Sequence, residues 1–242
     1  MSDFTEMGLQ PGDALSDETT LLKRYGVSRG TFREALRLLS FLGAITVKNG
    51  RQGGARLSVP DSSVVGSALG LVIQFEGATL DTVLEARLAL DPAVASLAAV
   101  NRDEEDLRRL RETLDGLIDS QHTRGPTYAA HAIDYSMAMA DATHNSVFTT
   151  FMPTLVAMTS TVSWRYPDGI KPRFAAQVGE VVDAVERRDG EEASRIAGDM
   201  QRVLMASLRE AHPEDLEKPI LWHILDEQLA RGPESLLRGT AE

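Results

Sequence analysis

Near its start the chain changes its hydrophobic repeat, and few folds accommodate the change. Phe32, Ala35, Leu36 and Leu39 fall at i, i+3, i+4 and i+7, one face of a helix running from Arg29 to about Leu42. Ala44-Ile45-Thr46-Val47-Lys48 then reads as a strand, and so does Ala55-Arg56-Leu57-Ser58-Val59. Asn49-Gly50 between them is a hairpin turn signal, lengthened by Arg51-Gln52-Gly53-Gly54. Upstream, Leu9-Gln10-Pro11-Gly12-Asp13 reads as a turn. Asp17 can cap a short helix to about Tyr25 with Leu21 and Leu22 inward. Gly26-Val27-Ser28 makes the tight turn to the next helix, Gly26 supplying a positive φ and Ser28 the cap. Gly43 ends that helix. Two helices across a short turn, then a hairpin, predict a winged helix-turn-helix over residues 1–60.

Pro60-Asp61-Ser62-Ser63 reads as a linker, and everything after it as helix. The pattern predicts helices over 64–75, 80–100, 103–120, 127–143, 146–165, 173–188 and 190–211, with kinks at Pro92 and Pro153. A further amphipathic helix over 219–230 would use Ile220, Leu221, Ile224, Leu225 and Leu229. The fold class is therefore mostly α: the winged helix-turn-helix, then an all-α bundle of about six or seven helices over 61–242. Aromatic residues are only 5% of the chain, so the core is expected to be built from Leu, Val, Ala, Ile and Met. The chain has no cysteine, which removes disulfides and Cys-ligated zinc and points to a reducing cytoplasm. No apolar run approaches the roughly 20 residues that span a bilayer. Residues 1–10 lack the basic start and apolar run of a signal peptide. A soluble protein without a membrane partner is expected.

The net charge of −11 looks wrong for a nucleic-acid binder until it is divided. Residues 1–60 carry a net +2 and residues 61–242 a net −13; from residue 19 to 60 there are eight basic residues and one acid, Glu34. A small basic segment on an acidic body is the footprint of one DNA-facing surface. Arg29, Arg33 and Arg37 stack four apart on one helix face, where like charges cost about 0.2–0.5 kcal/mol per pair. A solvated face would explain that row by itself, but the turn before it and the basic hairpin after it favour DNA. The second helix would enter the major groove of a double-stranded operator by its N-terminal end. There Arg29 can bond a guanine twice, Ser28 and Thr31 suit phosphate, and Gly30 allows close backbone approach. Arg33 and Arg37 would neutralise phosphates. The tip, Asn49-Gly50-Arg51, would lie along the minor groove.

These stretches, with Gly26 to Leu36 and Gly43-Ala44-Ile45, resemble the GntR family of bacterial regulators. The helical half resembles its FadR subfamily, whose effector domain is called FCD, through Leu84-Glu85-Ala86-Arg87, Ala140 to Asn145 and Asp183 to Asp189. The resemblance runs from Leu9 to about Arg209. It implies a homodimer that binds a short palindromic operator, usually represses, and is released by a small metabolite. By the same resemblance Ser28, Arg29, Gly30, Thr31 and Arg33 correspond to DNA contacts, and Asn49-Gly50 to the wing tip. Two departures stand out in the N-terminal part. Only eight residues precede Leu9, so the family's first helix is short here or the start lies upstream. Thr19 stands where the family often has a DNA-contacting Arg.

A third departure concerns metal. Many FCD domains ligate one through an Asp and a His four apart plus two later His residues; those positions here are Ala132, Ser136, Val178 and Met200, which suit no divalent metal. A shifted set, His131, Asp134 and His144, is the weaker alternative to unligated polar residues. The expectation is no metal and no cofactor. An anionic effector would then need another counter-charge. Arg87, on a mostly apolar helix, is the first candidate, unless it pairs with Asp91 or Glu85. Arg165, beside Trp164 and Tyr166, is the second, unless it only closes a helix end. Asp134, Tyr135, Ser136 and Asn145 supply polar groups nearby. Met137, Met139, Met152 and Met158 either line the cavity or form plain core. Such a lining suits an acyl-chain or other largely apolar metabolite.

Two other classes are weighed. The chain holds no Gly-rich phosphate loop, no His-Glu-x-x-His helix and no nucleophile motif, so catalysis is not expected. The alternative is a helical protein-interaction module that uses the helix-turn-helix for protein contacts. Binding through phosphate neutralisation weakens steeply with salt, and a hydrophobic interface does not.

Overall fold

The computed structural model describes residues 8–48, 54–60, 62–159 and 166–221. The chain divides into two compact units, Met1–Val64 and Val65–Glu242.

In the first unit, α1 (Glu18–Tyr25) starts where the Asp17 carboxylate accepts from the Thr20 amide at 3.0 Å. It ends at Gly26, whose φ of 64° turns the chain. After the turn, α2 (Arg29–Phe41) begins on Ser28, whose hydroxyl accepts from the Thr31 amide at 3.1 Å. β1 (Ile45–Lys48) and β2 (Gly54–Leu57) pair antiparallel, with Ile45 opposite Leu57 and Lys48 opposite Gly54. β2 thus starts one residue earlier than the sequence pattern suggests and stops before Ser58. Residues 12–15 run along its other edge: Gly12 and Leu15 donate to Leu57 and Ala55, and Leu57 donates back to Asp13. Leu21, Phe32, Ala44, Ile45 and Leu57 form the small core. Ala35, expected on the inward face of α2, is exposed, and Leu36 and Leu39 are half-buried. The inward stripe is narrower than the spacing implied: Phe32 is the one buried residue of α2.

The second unit is all helix among the described residues: α3 (Ser62–Phe75), α4 (Leu80–Asn101), α5 (Glu104–Ser120), α6 (Thr127–Asp141), α7 (Ser146–Thr159), α8 (Ile170–Glu186), α9 (Gly190–Ala211) and the single turn α10 (Pro213–Leu216). α4 packs on α6, α7, α8, α9 and α10. It runs unbroken through Pro92. Its Ala95, Ala98 and Ala99 are fully buried, and small side chains here let α9 approach closely. Gly190 of α9 does the same from the other side, since a Cβ there would sit 2.9 Å from the Ser96 hydroxyl. Val178, Val181, Val182 and Val185 of α8 and Leu110 and Leu117 of α5 complete the centre. Truncating one such Leu to Ala costs about 2–5 kcal/mol.

Several helix ends depart from expectation by a residue or two, and two depart further. α8 begins three residues earlier than the pattern suggested, because Pro172 falls in its first turn, where a missing N–H costs no helix bond. The 219–230 helix does not start where expected: Pro219 bridges to Thr79, and Ile220 donates to the Ala78 carbonyl at 3.0 Å and is 1% exposed. The rest of that span, from 222 on, lies outside the described residues, as do 160–165 of the expected 146–165 helix.

Candidate functional site

The basic face of α2 is exposed from Ser28 through Thr31 and again at Arg33 and Arg37. Ser28 and Thr31 hold one another, hydroxyl to hydroxyl at 2.9 Å, so each keeps a polar surface at the entry of the helix. A Cβ on Gly30 would meet only the Ser28 hydroxyl, at 3.7 Å, so packing within the unit does not demand a glycine there. Arg37 pairs with Glu34 at 2.5 Å and Arg33 lies 4.0 Å from Glu18 of α1. Arg29 has no carboxylate partner among the described residues. Exposed pairs of this kind are worth little in water, so a phosphate competes readily with either acid. Asn49, Gly50 and Arg51 lie outside the described residues.

In the second unit a cavity of about 1050 Å³ opens among α4, α6, α7, α8 and α9. Leu84, Ile133, Val156, Phe174, Leu204 and Leu208 give it apolar walls. Arg87, Ser136, Thr159 and Gln201 lie at its buried end, with Tyr166 within reach of the Arg87 charge; residues 121–126 and 167–169, with Lys171 and Pro172, form its outer rim. Arg87 donates to Ser136 at 3.2 Å, to Thr159 at 3.4 Å and to Asp91 at 3.0 Å. Gln201 also donates to the Asp91 carboxylate. The Arg87 and Asp91 side chains are only 13% and 11% exposed. Burial pushes the Asp91 carboxyl above its ordinary pKa, and the Arg87 charge and the Arg87 and Gln201 hydrogen bonds pull it back. Among the described residues, the Nε of Arg87 and the Oδ1 of Asp91 are buried without a hydrogen-bond partner.

Arg87 and Ser136 therefore come together on one wall. The other expected residues do not join them there. Tyr135 faces the core, 5% exposed, and burial raises its hydroxyl pKa. Asp134 is off the lining, its carboxyl raised by burial and lowered by His131 and Arg109. Asn145 leads into α7, its side-chain oxygen accepting from the Val147 amide at 3.0 Å. Arg165 lies outside the described residues. None of Met137, Met139, Met152 and Met158 lines this cavity; the last three are core. The sequence reading missed Lys171. Its ammonium sits 5.1 Å from the Tyr128 ring centre and 5.8 Å from that of Tyr166, and donates to the Thr123 carbonyl at 2.9 Å. Burial pushes the Tyr166 hydroxyl up to about 12, against the pull of Arg87. Lys171 beside Tyr128 is hard to see in a sequence, because the two are far apart along the chain.

The residues do not fit the metal of the FCD pattern. Ala132 and Ser136 line the cavity and Val178 and Met200 are core, so this set offers no carboxylate or imidazole. The shifted set is not brought together either. The His131 ring packs on Gly116 of α5, while His144 joins Asp106 at 2.7 Å. Asp103 and Asp106 cap the start of α5 through each other's amides, which already engages the carboxylates next to His144.

Comparison with known proteins agrees with this two-part layout. Residues 5–53 match the model for bacterial regulatory proteins of the gntR family. Residues 82–204, just over half of the chain, match the FCD domain. The HTH-type transcriptional regulator LutR of Bacillus subtilis is 32% identical over 143 residues, covering 57% of this chain and 62% of LutR. Mce2R of Mycobacterium tuberculosis, also an HTH-type transcriptional regulator, is 29% identical over 213 residues, 83% of this chain and 84% of Mce2R. The solved structure of a Streptococcus agalactiae GntR shares the fold with a TM-score of 0.68 at 19% identity, over 85% of this chain and 95% of that one. With a gntR-type helix-turn-helix followed by an FCD domain over half its length, the chain belongs to the FCD-containing branch of the GntR family of bacterial regulatory proteins.

Proposed function

We propose that this chain is a ligand-responsive transcriptional regulator, a cytoplasmic homodimeric repressor that binds a palindromic operator and lets go when a small molecule fills the cavity of its helical unit. The observation that carries this reading is the exposed end of α2, where Ser28, Arg29, Gly30, Thr31 and Arg33 present their surface outward. Arg29 reads a base edge; Arg33 and Arg37 leave weak exposed acid partners for phosphates. Asn49, Gly50 and Arg51 follow the groove beside them. The domain division at about residue 60 separates reading from sensing.

The test is retardation of genomic fragments from around its own gene, repeated across a salt series. Tight binding to a palindrome that weakens log-linearly with salt is expected. Salt-insensitive binding, or binding to a protein partner in place of DNA, overturns the reading in favour of a protein-interaction module.

A further inference from the structure

We propose that the cavity takes an amphiphilic anion, its charge held at Lys171 on the rim and a neutral hydrogen-bonding group at Arg87, Ser136 and Thr159 inside. The proposal rests on reading the helical unit as the sensor and names what it senses. It reverses the simplest expectation, that the buried arginine receives the anion.

Arg87 is already neutralised. Its guanidinium is 3.0 Å from the Asp91 carboxylate, and both side chains are close to nine-tenths buried. A second carboxylate at this end would be stripped of water and left with no spare counter-charge. The unsatisfied atoms say what the place would accept instead. Arg87 Nε is a donor and Asp91 Oδ1 an acceptor, and neither has a partner among the described residues. Of the two residues only Arg87 lines the cavity, with Ser136 and Thr159 beside it, and a ligand hydroxyl can accept from the guanidinium and donate to a neighbouring hydroxyl oxygen. A carboxylate can only accept there, and it would bring a charge the Arg87–Asp91 pair does not need.

Lys171 is the opposite case. Its ammonium has three donors, of which Thr123 takes one. Two tyrosine faces fix its position, and no carboxylate among the described residues pairs with it. It stands in the first turn of α8, which holds no acid and whose N-cap Gly169 gives no side-chain cap, so the helix end adds to the positive field and offsets Asp168 just before it. Arg124 and His122 lie on the same rim; among the described residues Asp168 is the one acid in the lining. Between rim and buried end the walls are apolar. At about 1050 Å³ the space is at the upper end of ordinary ligand pockets, roughly 300–1,000 Å³, which suits a ligand with a sizeable apolar body.

The test is calorimetric titration of the full chain with decanoate, ω-hydroxydecanoate, decanol and sebacate, the last a dicarboxylate. The expected order is ω-hydroxydecanoate first, decanoate next, and decanol and sebacate far weaker. Lys171→Met should weaken decanoate about tenfold or more and leave decanol unchanged, with Lys171→Arg restoring much of the loss. Ser136→Ala should shrink the advantage of the ω-hydroxyl. Decanol binding as well as decanoate, sebacate binding best, no binding at all, or indifference to Lys171→Met overturns the proposal. Release of operator DNA by the same compounds is read separately. Binding without release sinks the sensor reading alone; release that ignores Lys171→Met sinks this proposal alone.

Discussion

Tyr128 and Lys171 hold each other twice: the phenol donates to the Lys171 carbonyl at 2.8 Å, and the Lys171 ammonium lies 5.1 Å from the centre of the phenol ring. Burial raises the Tyr128 pKa, so the hydroxyl remains a donor at any physiological pH. The contact sets the start of α8 against α6 on the cavity rim. Tyr128→Phe keeps the ring and removes the bond. It should cost about 0.5–1.5 kcal/mol in urea unfolding, while ligand titrations still show a dependence on Lys171. A loss of binding as large as that from Lys171→Met would mean that the hydroxyl, and not the ring, positions the charge.

On the DNA side, Arg29 and Arg37 should behave differently. Arg29→Ala should cost about 1–3 kcal/mol and blur the choice of operator. Arg37→Ala should weaken all sequences alike and flatten the salt slope. Because Arg37 is held by Glu34 at 2.5 Å, Glu34→Gln should strengthen binding to any duplex. Retardation assays on operator and scrambled DNA decide this; equal, sequence-independent losses from both arginine changes would sink the assignment.

The buried pair gives a pH dependence whose direction is fixed. Asp91 has a folded pKa raised from its ordinary 3.8 by burial, so the folded chain binds this proton more readily than the unfolded one. Its contribution is fully present below 3.8 and is lost as pH rises through the raised value. Asp91→Asn cannot titrate. The stability advantage of the parent over this variant should therefore widen as pH falls from neutrality, measured by denaturant unfolding at a pH series. A gap that narrows on acidification would show that the Arg87 charge outweighs burial.

The packing of His131 on Gly116 gives a test in two steps. A Cβ on Gly116 would lie 2.4 Å from His131 Nδ1 and 2.8 Å from its Cγ, so the whole ring must move. Gly116→Ala should cost about 1–3 kcal/mol. In a His131→Ala background the same change should instead gain up to about 1 kcal/mol from helix propensity. Additive effects in the two backgrounds would refute the contact.

Much of this was legible in the chain because the signals are local. Asp17, Gly26 and Ser28 cap and turn as residues of their kinds do, and α9 spans the very residues 190–211 that its pattern marked. The Arg87–Asp91 pair was one of the readings that spacing alone allowed. The failures are non-local. Lys171 was passed over because it fell just before the helix expected over 173–188, while its neighbours Tyr128 and Tyr166 come from distant or adjoining parts of the chain. Asp134 and Tyr135 flank Ser136 in sequence, but on a helix they point elsewhere. Pro219 and Ile220 looked like the head of an amphipathic helix, yet a bridge to Thr79, with Ile220 donating to Ala78 and Leu80 to Lys218, holds the chain extended and buries the isoleucine.

That clasp bears on where this protein can be cut. The FCD match ends at residue 204 and begins at 82, but Leu208, Leu216 and Ile220 are each no more than 2% exposed, and so is Leu80. An excised sensor trimmed to the borders of the match would lose the lid and the sill of its own interior. It would be judged unstable for reasons unrelated to its ligand; a fragment from Val65 through Leu221 keeps both.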